Sequence, residues 1–326
     1  MSVAFVSHPS CLEHLAGPRH PERPERLAAV LAGAQHPDVV DALLPIEATA
    51  AALDALHLVH PVEFTQRIAT ICANGGGRLD PDTFASPRSW DAARHAAGAA
   101  LTAIDVLDAG RATSAFCAVR PPGHHATPTQ GMGFCILSNI AIAARSLAER
   151  GERVMIFDFD AHHGNGTEAV FWDDPRVLFV SLHQSPLYPG TGATTDVGGP
   201  DAVGTTLNVP VHPGTTGDRY LEAFDERVAP VAADFQPTWV LISAGFDAHR
   251  ADPITDLGLS AADYPALVQR AFGLVAPGRR IAMLEGGYDL GALERSVTAC
   301  LAAMADAPHP GLTERPTNGG PPLPSR

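Results

Sequence analysis

Residues 157–166, "FDFDAHHGNG", place two Asp, two His and one Asn within ten positions. The apolar run Val154-Met155-Ile156 just before them reads as a buried strand. Buried carboxylates are costly unless paired or bound to a metal, so packing alone does not account for this cluster. Alternation along an extended segment puts Asp158, Asp160 and His162 on one face. Carboxylate oxygens with an imidazole suit Zn²⁺, Fe²⁺, Mn²⁺ or Co²⁺. A catalytic zinc takes three protein ligands and keeps one open position. Asp160 and His162 supply two, and Asp247 in "SAGFDAH" is the best third. Two carboxylates nearly neutralise a divalent ion, so water is acidified less there than beside three histidines. Such a site needs a general base and an electrophile. "RPPGHHA" offers His124 and His125 on a Pro-Pro-Gly turn, and "EGGYDL" offers Tyr288, whose hydroxyl can donate to a developing oxyanion.

These residues need a common scaffold. Apolar runs at Val3–Ser7, Ala115–Val119, Val154–Asp158, Val177–Leu182, Thr206–Val211, Trp239–Ser243 and Ile281–Leu284 read as strands. Amphipathic stretches at Pro24–Ala34, Pro87–Ala109, Asn139–Arg150, Gly217–Phe235, Ala261–Val275 and Ala292–Ala305 read as helices. The alternation predicts an α/β fold with a parallel sheet covered on both faces. In such folds sites gather at the carboxyl ends of the strands. "PPGHH", "DFDAHH", "SLH", "SAGFD" and "EGGY" each close one of the predicted strands, which makes one convergent site. No linker interrupts the pattern, so residues 1–307 read as one catalytic domain. Residues 308–326 are Pro- and Gly-rich and read as a poorly ordered tail.

Composition narrows the function classes. The chain has 326 residues, 45% hydrophobic and 18% charged, an ordinary globular balance. Its net charge of −14 argues against nucleic-acid binding. Five cysteines without a C-x-x-C pair argue against a disulfide framework or a thiolate zinc site. The N-terminus shows no basic region followed by a long apolar run, and no apolar run is long enough to span a membrane. The expectation is a cytoplasmic protein with no membrane partner.

Together "HPERPERL", "RPPGHHA", "GFC", "DFDAHHGNGT", "VSLHQ", "LYPGTG", "SAGFDAHRADP" and "LEGGYDL" resemble the histone deacetylase family, most closely its class II and bacterial branch. The resemblance covers residues 3–304. It implies an arginase/deacetylase-type fold, a central parallel sheet of about eight strands, and one zinc at the base of a narrow acyl-lysine tunnel. Fe²⁺ is the alternative metal in cells. By resemblance Asp160, His162 and Asp247 are the zinc ligands, and His124 and His125 the tandem histidines. Asp158 partners His124 and keeps it cationic, whereas Asn165 partners His125 without adding charge. Phe134 and Tyr188, with Gly133, Gly287 and Ile254, correspond to the substrate tunnel. Asp158 and Ser181 resemble a structural K⁺ site. Arg26 corresponds to an inner exit channel, with a helix-surface salt bridge the alternative reading. The implied substrate is an acylated lysine in a peptide or protein, with small acylated amines as the second class.

Three rivals share parts of this pattern. A binuclear manganese ureohydrolase needs an Asp two residues after the ligand His, where this chain has Gly164, and its partner D-x-D motif is replaced by Asp247-Ala248-His249. A non-catalytic acyl-lysine binder would be expected to lose a ligand, a tandem histidine or the tyrosine, and all six positions are kept. An acetylpolyamine amidohydrolase would carry a Glu where this chain has Ile254, and the mouth-narrowing insertion is missing from the short Ser7–Glu22 loop.

Overall fold

The structure, a computed structural model, describes residues 2–305 and 319–321. Among the described residues ten strands run in chain order as β1 (Val3–Ser7), β2 (Leu43–Glu47), β3 (Gly77–Arg78), β4 (Phe84–Ala85), β5 (Ser114–Cys117), β6 (Val154–Asp158), β7 (Val177–Gln184), β8 (Thr206–Val211), β9 (Trp239–Ala244) and β10 (Arg280–Leu284). Eight form one parallel sheet in the order β2-β1-β5-β10-β9-β6-β7-β8. The two-residue strands β3 and β4 pair as a separate antiparallel hairpin. The central strands β6 and β9 are buried at every position. Such strands read as unbroken apolar runs because both faces are covered.

The helices are α1 (Pro24–Ala34), α2 (Leu53–Leu56), α3 (Val62–Ala73), α4 (Ser89–Asp108), α5 (Asn139–Glu149), α6 (Asn165–Phe171), α7 (Gly217–Ala223), α8 (Ala229–Phe235), α9 (Tyr264–Phe272) and α10 (Leu290–Met304). They fall into packed groups around the sheet. In one, α1 lies on α10 and α10 on α9; in the other, α4 packs on α5 and on β1 and β5. Ala92, Ala96, Ala99, Ala100 and Ala103 of α4 are buried, and these small side chains let the helix approach the sheet closely.

All seven expected strands form. The strand expected at Ala115–Val119 ends earlier, at Cys117. An eighth, β2, was not expected: Pro45 lies in its middle and breaks the strand signal. Proline is tolerated there because β2 is an edge strand. The single helix expected over Gly217–Phe235 is broken instead. A π-helical turn at Phe224–Val228 separates α7 from α8, just before Pro230. Pro230 has no N–H to donate, and its ring crowds the carbonyl of Glu226, so the ladder widens at that turn.

Of the expected tail, residues 319–321 are described. Gly319 N–H donates to Asp218 Oδ2 (3.1 Å) and Gly320 N–H to Thr216 Oγ1 (2.9 Å), at the start of α7. The remainder of 308–326 lies outside the described residues. Among the described residues no helix is long and apolar enough to cross a membrane. All five cysteines are free and buried.

Candidate active site

Parallel register sets the site. Asp158, the last residue of β6, lies opposite Ser181 of β7 and Ser243 of β9. Leu284 of β10 lies opposite Ala244. The segments that leave β5, β6, β9 and β10 therefore meet at one end of the sheet.

Beyond Asp158 the chain leaves the strand in successive side-chain-to-backbone turns. Asp158 Oδ1 accepts Asp160 N–H (3.0 Å), and Asp160 Oδ1 accepts His162 N–H (2.9 Å). The expected alternating face thus stops at Asp158. Its other oxygen turns to His124, while Asp160 and His162 turn to Asp247. The donor atoms of Asp160, His162 and Asp247 lie within 4.8 Å of one another, and all three residues are buried. His162 Nδ1 is 3.2 Å from Asp160 Oδ1 and 2.9 Å from Asp247 Oδ2. The outer carboxylate oxygens are fixed by backbone: Gly286 N–H donates to Asp160 Oδ2 (2.8 Å) and Ala161 N–H to Asp247 Oδ1 (2.8 Å).

This donor set fits a divalent cation. Two carboxylates against one imidazole leave excess negative charge in a fully buried place. Burial, then Asp160, pushes Asp247 up to about 6. A cation removes that conflict. The space is kept open by glycine. A Cβ on Gly286 would sit 2.3 Å from Asp247 Oδ2 and 2.6 Å from Asp160 Oδ2.

His124 and His125 stand beside this cluster, their rings 4.0 Å apart. His124 Nδ1 pairs with Asp158 Oδ2 at 2.9 Å. Burial alone would depress His124, but Asp160 and Asp158 outweigh it and hold it well above the usual imidazole range. His125 Nδ1 pairs with Asn165 Oδ1 at 2.8 Å. Burial, then the charges of His124 and His162, hold His125 well below that range. The surroundings therefore push the two rings in opposite directions, His124 toward the cationic form and His125 toward the neutral one.

Tyr288 follows Gly286-Gly287 and is 9% exposed. Burial keeps its phenol protonated, well above the ordinary tyrosine range. Phe134 meets the Tyr288 ring edge-on at 5.8 Å, and Tyr188 meets His125 edge-on at 5.2 Å. Phe134 thus packs on Tyr288 and Tyr188 on His125, and Tyr188 is 38% exposed. Gly133 packs directly on the His125 ring: a Cβ there would lie 2.4 Å from His125 Cδ2. Ile254 is half-buried and joins the group through its backbone, its N–H donating to Asp252 Oδ1 (3.1 Å). Ser181 is buried beside Asp158, and its hydroxyl pairs with His183 Nδ1 at 2.9 Å.

Arg26 is not on a helix surface. It is fully buried beneath the Tyr288 turn, donating from Nε to Gly287 O (2.6 Å) and from Nη2 to Glu285 O (2.5 Å). Its guanidinium lies 4.8 Å from the Tyr288 ring centroid. Glu22 joins Arg26 (3.2 Å) to Arg120 (2.7 Å), and His14 adds a third partner (3.3 Å).

Sequence reasoning missed Glu22, Arg120, Glu285 and Asp252. Glu285 Oε2 accepts the N–H groups of Gly123 (2.6 Å) and His124 (3.1 Å), fixing the histidine turn. The signal was a carboxylate closing the apolar strand β10. With His124 and Cys135, Glu285 forms a second close group of metal-capable atoms, but its Oε2 and His124 Nδ1 are already engaged. Asp252 sits in the quoted "HRADP" stretch, where its burial could not be read.

Residues 20–304 match the histone deacetylase domain. A probable deacetylase of Archaeoglobus fulgidus is 40% identical over 311 residues, covering 94% of this chain and 87% of that protein. A histone deacetylase-like amidohydrolase of Pseudomonas aeruginosa is 38% identical, covering 69% of this chain and 61% of that protein. Histone deacetylase 14, chloroplastic, of Arabidopsis thaliana is 42% identical, covering 68% and 55%. The crystal structure of the HDA15 HD domain superposes with a TM-score of 0.88 at 36% identity, over 93% of this chain and 90% of that one. The eight-stranded parallel sheet and its helices are the arginase/deacetylase-type fold, and the chain belongs to the histone deacetylase family of hydrolases.

Proposed function

We propose that the protein is a zinc-dependent amidohydrolase that removes acetyl or other acyl groups from the ε-nitrogen of lysine in peptides or proteins. The observation that carries this reading is the meeting of a three-donor cluster with two histidines, one paired with a carboxylate and one with an amide, at one strand-end site. Asp160, His162 and Asp247 would hold the ion, and Fe²⁺ suits the same donors. Zinc supplies Lewis acidity toward water and toward a carbonyl oxygen.

The chain's own residues supply the rest. His125 Nδ1–H donates to Asn165, which leaves Nε2 unprotonated to take the proton of the attacking water. As the C–N bond breaks, His125 returns that proton to the lysine nitrogen, and the second proton of the water passes from the acid to the amine, so the products are a lysine ammonium and a carboxylate. His124, charged against Asp158, keeps positive charge next to the reacting centre. The Tyr288 hydroxyl donates to the developing oxyanion. Phe134 and Tyr188 would sandwich the lysine methylenes, with Gly133 and Gly287 leaving room for them. Asp158 and Ser181 would form part of a K⁺ site. Free buried cysteines suit a reducing compartment, and we place the protein in the cytoplasm.

Ile254 carries no charge, so a secondary ammonium beside it would go uncompensated; this favours acyl-lysine over acetylpolyamines. Steady-state kinetics of the metal-loaded protein on acylated lysine peptides, acetylputrescine and acetylspermidine tests the reading. The expected result is a higher kcat/KM for acyl-lysine peptides. A higher value for a polyamine would change the substrate class, and turnover of none would end the hydrolase assignment.

A further inference from the structure

The Tyr288 hydroxyl can serve an oxyanion only if its backbone is held, and the turn before it is built on two glycines. Gly287 sits at φ +118°, in a region that glycine enters freely and therefore leaves freely. Gly286 is held by its N–H on Asp160 Oδ2 (2.8 Å) and by Phe246 N–H on its carbonyl (3.0 Å), and two further side chains hold the residues on either side of it. Arg26 takes the carbonyls of Glu285 and Gly287 from below. From the other side, Asp252 Oδ2 accepts the Tyr288 N–H at 2.8 Å. The second oxygen of the same carboxylate accepts the Ile254 N–H at 3.1 Å. Asp252 is 9% exposed although its neighbours Ala251 and Pro253 are exposed, so its side chain turns inward from a surface loop. That loop begins at Asp247: Asp252 N–H donates to His249 O (2.8 Å), and Thr255 Oγ1 donates to Asp247 O.

We infer that Asp252 is a positioning residue that locks the Tyr288 backbone to the Ile254 loop, so that the electrophile and the tunnel mouth share one anchor. The inference rests on the proposed role of Tyr288. A carboxylate is the side chain that fits, because it offers two acceptor oxygens to two N–H groups. Asparagine keeps the shape but offers one acceptor and one amide donor, so one of the two N–H groups must lose its partner. A buried N–H without a partner is costly and drives local rearrangement.

Asp252→Asn and Asp252→Ala, alone and combined with Tyr288→Phe, test this. Tyr288→Phe removes one oxyanion donor, which typically costs about 10²–10³ in turnover. The Asp252 variants should lower kcat by about 10- to 10²-fold, the scale of an ångström-level misplacement, and leave metal content near the parent value. Combined with Tyr288→Phe they should add less than about twofold further loss, since both changes remove the same contribution. Amide hydrogen exchange of the 285–290 segment should be faster in both Asp252 variants and unchanged in Tyr288→Phe. Losses that multiply in the double variants, or exchange equal to the parent, would overturn the inference even if Asp252→Ala folds poorly, because Asp252→Asn reports the same quantities. A parent protein without turnover would instead overturn the functional reading, and the exchange comparison would still judge the anchor.

Discussion

The rings of His124 and His125 lie 4.0 Å apart and face acceptors of different charge, Asp158 and Asn165. Asp160 and Asp158 push His124 toward its cation, whereas burial and the charges of His124 and His162 push His125 toward its neutral form. Asn165→Asp would put a carboxylate against His125 and favour its cationic form. The neutral base would then be scarce at neutral pH. Turnover should fall by about 10²–10⁴, the usual worth of general base catalysis. The acid limb of the kcat/KM–pH profile should move to higher pH. An unshifted limb would show that His125 is not the base.

Asp247→Ala removes one donor from the cluster and one of the two buried carboxylates. Elemental analysis should find one metal equivalent per chain in the parent protein and none retained by the variant. Chelation of the parent should lower its melting temperature, since a ligand at about 100 times its Kd stabilises the native state by roughly 2.7 kcal/mol. Two equivalents in the parent would favour a binuclear site instead.

Ile254→Glu introduces a carboxylate at the proposed tunnel mouth. The ratio of kcat/KM for acetylspermidine over an acetyl-lysine peptide should rise by about fivefold, the effect of a roughly 1 kcal/mol ion pair. A constant ratio would remove Ile254 from the specificity determinants.

Glu22 links stability to pH. Burial alone would raise its carboxyl, but Arg120 and His14 outweigh it and hold it well below the usual glutamate range. A depressed folded-state value gives stability that is fully present above the unfolded glutamate pKa of about 4.3. That stability is lost as pH falls toward the folded value. Glu22→Gln leaves Arg120 and Arg26 facing a neutral amide. It should cost about 3–5 kcal/mol at pH 7 in denaturant unfolding, the scale of a broken buried ion pair. The penalty should narrow below pH 4. A penalty that does not change with pH would mean that Glu22 acts by shape alone.

The cluster of Asp160, His162 and Asp247, the histidine pair and Tyr288 were legible because each closes an apolar strand, and strand ends of a parallel sheet converge. The groups that hold them were not. Glu22 and Arg120 are 98 residues apart, and neither residue type reveals that it is buried. Asp252 lies in a loop that reads as solvent-exposed, and only the packed structure shows its carboxylate turned inward. In the fold, Pro45 hid an edge strand, and Pro230 split a helix whose apolar spacing is continuous through the break.

The strand-end origin of the cluster also fixes when it can exist. His162 meets Asp247 across 85 residues, and Asp160 meets Gly286 across 126. During synthesis the first two donors emerge long before the third, and the glycine that shapes their space comes later still. No early fragment can carry the complete site. A metal held by all three residues, as proposed, would therefore enter only after assembly of β6, β9 and β10, with the centre of the sheet already closed.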